Sequence, residues 1–130
     1  MYIHPILCSV IFKYLEFKDK HAFKRICAYT NKIQITDLYD VQRKYLRKLD
    51  DKILSNYKYV KRLNASNNKN ITNINHMTKL KELDASGGCG IDDKGISNLN
   101  LEKLDICNNH KITNVNHMSN LQELSDDDYE

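Results

Sequence analysis

The stretch INHMTKLKEL, residues 74–83, returns as VNHMSNLQEL, residues 115–124, an echo 41 residues apart. Behind the echo lies a shorter period. Leu63, Leu83, Leu104 and Leu124 follow one another at 20, 21 and 20 residues. Three residues before each stand Val60, Leu80, Leu101 and Leu121; two residues after stand Ala65, Ala85 and Ile106, with Asp126 breaking the pattern in the last unit. One unit of this length cannot bury its own leucines. Stacked units can, because they set strands about 4.8 Å apart over one continuous core. The repeated sentence therefore predicts a repeated structure, with the echo spanning two units.

The units share the pattern L-x-x-L-x-L, followed five residues after its second leucine by Asn68, Gly88 and Asn109. Between the predicted strands run NITNINHMTKL, GIDDKGISNLNL and KITNVNHMSNL. They offer Ile71, Ile74 and Met77, then Ile91, Ile96 and Leu99, then Ile112, Val115 and Met118 as inward residues. On these residues the chain resembles a leucine-rich-repeat array of the short kind. The phrase CGIDDKGISNLNLEKLDIC is similar to the cysteine-containing repeats often attached to F-boxes. The resemblance implies structural roles for Asn68, Gly88 and Asn109 at the turn, where an inward amide bonds the backbone of neighbouring turns. Alternate strand residues then face out on a concave surface. These are Arg62, Asn64 and Ser66; Glu82, Asp84 and Ser86; Lys103, Asp105 and Cys107; Glu123 and Ser125. The candidate partner-binding set is Arg62, Asn64, Glu82, Asp84, Lys103 and Asp105. The face has a small acidic excess, so its expected partner is a protein with a modest basic patch.

The first half of the chain is written differently. Residues 1–62 hold 14 Lys/Arg against 6 Asp/Glu, while residues 63–130 hold 6 against 11, which sets a boundary near Lys61. Residues 5–29, PILCSVIFKYLEFKDKHAFKRICAY, carry Leu7, Val10, Ile11, Tyr14 and Leu15 at helical spacing. A second amphipathic stretch follows, with Asp19 as its N-cap. Ile11, Phe12, Tyr14 and Leu15 match the I-F-x-Y-L of an F-box, and Ile26 and Cys27 match its V-C pair. Ile6 stands where the family has an acidic residue, and Thr30 where it has Trp. The segment resembles an F-box, and the whole chain an F-box/leucine-rich-repeat protein of the kind expanded in giant DNA viruses of amoebae. The resemblance implies docking to a Skp-type adaptor of a Skp–cullin–F-box ubiquitin ligase through Pro5, Leu7, Ile11 and Leu15. The alternative is that these helices only cap the end of the array.

Residues 36–59 place Leu38, Val41, Tyr45, Leu46, Leu49, Ile53 and Leu54 on one helical face or two short ones, opposite Arg43, Lys44, Arg47 and Lys48. Tyr and basic residues interleave here, so a nucleic-acid surface competes with a plain solvated face. The solvated face is preferred, since no recognised nucleic-acid motif accompanies it, and nucleic acid is not an expected partner.

No phosphate-binding, metalloprotease or nucleophile-elbow motif occurs in the chain. The glycine cluster GGCG at residues 87–90 reads as an irregular turn. His76 and His117 occupy equivalent places two units apart, too distant for a metal to be expected between them. Cys8, Cys27, Cys89 and Cys107 have no C-x-x-C spacing, which argues for reduced thiols inside a cell. No apolar run approaches the roughly 20 residues needed to cross a bilayer, and the opening residues lack the form of a signal peptide. The expectation is an α/β protein in three parts: a helical F-box-like unit over 1–35, a helical linker or N-terminal cap over 36–59, and about four leucine-rich repeats over 60–130. It is read as an intracellular, non-enzymatic interaction adaptor with no cofactor, no metal and no membrane partner. A plain repeat scaffold and a truncated, degenerate family member remain as alternatives.

Overall fold

A computed structural model describes residues 36–40 and 43–126, which belong to one compact unit, Thr36–Glu130. The adaptor-binding residues Pro5, Leu7, Ile11 and Leu15, and the whole F-box-like segment 1–35, lie outside the described residues. Among the described residues the fold is α/β with little helix. Five short strands form one parallel sheet in chain order: β1 (Asp37–Leu38), β2 (Arg62–Asn64), β3 (Glu82–Asp84), β4 (Lys103–Asp105) and β5 (Glu123–Ser125). The connection from β1 to β2 holds two single-turn helices, α1 (Arg43–Leu46) and α2 (Asp51–Leu54). That from β3 to β4 holds a 3₁₀ turn at Lys94–Ile96.

The leucine period is the sheet register. Leu38 pairs with Leu63, Leu63 with Leu83, Leu83 with Leu104 and Leu104 with Leu124. Each strand is short because only its central leucine must point inward; in β2 and β3 the two flanking residues remain half-buried. The other repeated positions form parallel inward rows. Val60, Leu80 and Leu101 are buried, as are Ile71, Ile91 and Ile112, and Met77, Leu99 and Met118. Each such side chain contributes about 1.5–3 kcal/mol relative to an exposed position. Burial fades toward β5: Val115 and Leu121 are only half-buried, and Leu124 is 43% exposed.

Leu38, expected on a helical face, lies instead in β1, and helix begins only at Arg43. Leu38 is drawn into the sheet by its ladder with β2, where Lys61 N donates to Thr36 O at 2.7 Å. The same bond recurs at every later strand: Lys81 N to Lys61 O at 2.8 Å, Glu102 N to Lys81 O at 2.8 Å, and Gln122 N to Glu102 O at 2.9 Å. A ladder partner outweighs local propensity.

Side chains brace one connection against the next, twice in the same manner. Asp51 accepts from Thr72 N at 2.7 Å, from Asn73 N at 3.2 Å and from the Thr72 hydroxyl. Asp93 accepts from Thr113 N at 2.7 Å, Thr113 Oγ1 at 2.7 Å and Asn114 N at 3.1 Å. These bonds hold the Asp93 carboxyl below its ordinary pKa, the Thr113 hydroxyl being the largest cause. Asp50 caps α2 by accepting from Ile53 N at 2.7 Å, an interaction of about 1 kcal/mol.

Candidate protein-interaction face

Strand alternation sends Leu63, Leu83 and Leu104 into the core and their neighbours onto one open face. Register then aligns those neighbours in rows across the sheet. The first row reads Asp37, Arg62, Glu82, Lys103, Glu123, alternating in sign at every step. Arg62 bridges both of its neighbours, with Nη1 3.1 Å from an Asp37 oxygen and Nε 2.9 Å from a Glu82 oxygen. Lys103 pairs with Glu123 at 2.8 Å. One position earlier on the strands, Lys81 pairs with Glu102 at 2.9 Å. The Arg62 guanidinium lies 4.8 Å from the centre of the Tyr39 ring, a cation–π distance. Each ion pair is largely solvent-exposed and adds at most about 1 kcal/mol; within the first row every charge has an opposite partner beside it.

The second row is different. It reads Asn64, Asp84, Asp105, Ser125. Asn64 Oδ1 accepts from Ser66 N at 3.0 Å and Ser66 Oγ at 2.7 Å. Asp84 Oδ1 repeats this with Ser86 N at 3.0 Å and Ser86 Oγ at 2.6 Å, and Asp105 Oδ1 accepts from Cys107 N at 3.0 Å. These short bonds across two residues fix the side chains against the turn that follows each strand. No cation among the described residues forms an ion pair with Asp84 or Asp105. Their field reaches Tyr39, whose phenol is pushed above its ordinary pKa by burial first and then by the charges of Asp84 and Asp105. The six partner-binding candidates thus share one face, and Asp37 in β1 and Tyr39 just after it join them, which the leucine spacing had not shown.

The turn residues sort less uniformly. Asn68 is buried and donates from Nδ2 to Leu46 O at 2.7 Å and Leu49 O at 2.9 Å, while its Oδ1 accepts from Asn70 N. Asn109 is also buried and donates to Ala85 O at 2.8 Å and Ile91 O at 3.2 Å. Each amide clamps the turn before its own. Gly88 is exposed and has no side chain to do this. The buried residue of that turn is Cys89, whose thiol is pushed above its ordinary pKa, burial being the largest cause. Just before these positions come Asn67, Gly87 and Asn108, at φ of 57°, 63° and 59°. Asparagine and glycine tolerate this left-handed conformation best.

His76 and His117 do equivalent work that the sequence did not disclose. Nε2 of His76 lies 2.9 Å from Leu54 O, at the end of α2, and Nε2 of His117 lies 3.2 Å from Ile96 O, at the end of the 3₁₀ turn. Each carbonyl also accepts a backbone N–H from the closing turn, Leu54 O from Tyr57 N at 2.8 Å and Ile96 O from Leu99 N at 2.9 Å, so the ring supplies a second contact to it. Among the described residues no three His, Cys, Asp or Glu side chains gather in a way that could hold a metal, and no helix is long and apolar enough to cross a membrane. No protein-family model, curated protein or solved structure matches the chain.

Proposed function

We propose that the chain is a non-enzymatic interaction adaptor: a short leucine-rich-repeat array whose concave face holds a protein target, preceded by an F-box-like unit that docks on a Skp-type adaptor. The observation that carries the target-binding half is the second strand row. Asp84 and Asp105 stand side by side across β3 and β4 and, among the described residues, form no ion pair, whereas the charges of the first row are paired. Adjacent carboxylates, each fixed by its turn bond, favour a lysine- or arginine-bearing segment held by charge-assisted hydrogen bonds. The ligase half is supported by the motif resemblance over residues 5–29 and by the pairing of such a motif with 20-residue leucine repeats. The chain would then work as a bridge, bringing a basic target to ubiquitin transfer performed by other subunits.

The face is tested by replacing Asp84 and Asp105 with asparagine together. Asn64 already makes the same turn bond in β2, so these changes remove charge while keeping the local geometry. Binding to an array of lysine- and arginine-rich peptides is expected to weaken at least tenfold, and to fall with salt in the unaltered chain. Unchanged peptide binding by a folded Asp84→Asn, Asp105→Asn chain would refute the assignment of this face.

A further inference from the structure

The segments that lead into β2 and β3 carry basic residues at matching places. Val60 and Leu80 are buried in the core, and the residues on either side of each turn outward: Tyr59 and Lys61 around Val60, Lys79 and Lys81 around Leu80. Lys61 O accepts from Lys81 N at 2.8 Å and from Glu82 N at 3.0 Å, so the two segments run side by side. The offset that pairs Arg62 with Glu82 sets Lys61 beside Lys81 and Tyr59 beside Lys79. Lys58, next to Tyr59, is exposed as well. In the following units the places of Tyr59 and Lys79 are taken by Asn100 and Asn120, where Asn120 N donates to Asn100 Oδ1 at 2.9 Å. The cationic patch therefore belongs to the β2–β3 side of the rim.

Lys81 is paired with Glu102, but Lys58, Lys61 and Lys79 form no ion pair among the described residues. Tyr59 stands among them with its side chain in the open, 48% exposed. Clustered ammonium groups repel one another and attract a polyanion. The residue types then say which polyanion. Carboxylates are best held by the bidentate fork of arginine, whereas lysine acts as a point charge suited to phosphate oxygens. An exposed phenol ring adds a π-face on which a base can stack, and only an unpaired base presents its own face to it. Tyrosine and lysine already interleave in the sequence over residues 57–61; the fold adds Lys79 from the next unit, 20 residues beyond Tyr59.

We propose that this patch binds single-stranded nucleic acid, with a base stacked on Tyr59 and backbone phosphates held by Lys58, Lys61 and Lys79. The contacts read no base edge, so binding is tolerant of sequence and strongly dependent on salt. The patch lies on the rim beside the first strand row and does not use Asp84 or Asp105, so it is independent of the target face.

The test is fluorescence anisotropy of a labelled oligouridine of about 15 nucleotides, titrated with the full chain, with Tyr59→Ala, Tyr59→Phe and the double variant Lys61→Gln, Lys79→Gln beside it. These positions are exposed, and thermal melts check that each variant folds like the unaltered chain. Three phosphate contacts predict that raising salt from about 50 to about 200 mM weakens binding roughly 18-fold, and the double lysine variant should lower that salt slope by about 1.4. Tyr59→Ala should weaken binding by roughly 5- to 150-fold, the range for one lost base stack, while Tyr59→Phe keeps the ring and should bind like the unaltered chain. An oligouridine left unbound at the lowest salt would overturn the proposal. So would binding that Tyr59→Ala leaves unchanged, or binding displaced as well by a glutamate peptide of equal charge as by unlabelled oligouridine, the signature of an acidic protein segment as the partner.

Discussion

Replacing Asn109 with alanine removes a buried amide that clamps two carbonyls of the preceding turn. The Asn109 side chain donates at 2.8 Å to Ala85 O and at 3.2 Å to Ile91 O, and accepts from Lys111 N at 3.3 Å. Each such bond is worth about 1 kcal/mol net, and a buried carbonyl left without its donor adds about 1–3 kcal/mol. Some of that loss is recovered if water enters the smaller side chain's space. The expected cost is about 3 kcal/mol, a large share of the stability of a domain this size. With a urea slope of about 1.3 kcal/mol per molar, the unfolding midpoint should fall by about 2 M. Urea titration followed by circular dichroism reads this directly. The exposed Asn116, changed to alanine in parallel, should stay within about 0.5 kcal/mol of the unaltered chain. If Asn109→Ala behaved like Asn116→Ala, the inward amides would not be what holds the turns.

Gly90 sits so close to the preceding turn that an added Cβ would meet Lys69 O at 2.5 Å and Ile71 O at 2.6 Å. Gly90→Ala should destabilise by about 1–3 kcal/mol through overpacking against rigid backbone, visible as a lower melting temperature. The Asp93 carboxyl is held below its ordinary value of 3.8 in the folded chain. It therefore contributes stability that is complete above that pH and is lost as pH falls through the folded value. Asp93→Asn should flatten this part of the acid limb in a pH series of thermal melts, and an unchanged acid limb would contradict the bracing role of Asp93.

The leucine rows were legible because periodicity survives in the letters: Leu63, Leu83, Leu104 and Leu124 fall into register as spaced. The strand β1 was hidden because Leu38 precedes Leu63 by 25 residues, outside the 20–21 period, and two helical turns occupy the difference. The open-face residues could be named from alternation, but the sign alternation of their first row, and the unmatched Asp84 and Asp105 of the second, depend on which strands are neighbours. Register also brought Asp37 into the first row. The bonds of His76 to Leu54 O and His117 to Ile96 O join residues about one unit apart, and no local pattern announces them. At residues 87–90 the sequence pointed to Gly88 for the inward turn position, while the buried side chain comes from Cys89. A residue without a side chain cannot fill the space, and its neighbour does.

The most direct measurement is binding of the full chain to a purified Skp-type adaptor, by calorimetry or pull-down, in three forms: unaltered, Ile11→Asp with Leu15→Asp, and Asp84→Asn with Asp105→Asn, each checked for folding by circular dichroism. The account predicts that the unaltered chain and the strand-face variant bind the adaptor alike, while the Ile11→Asp, Leu15→Asp chain does not. A well-folded unaltered chain that fails to bind the adaptor would contradict it.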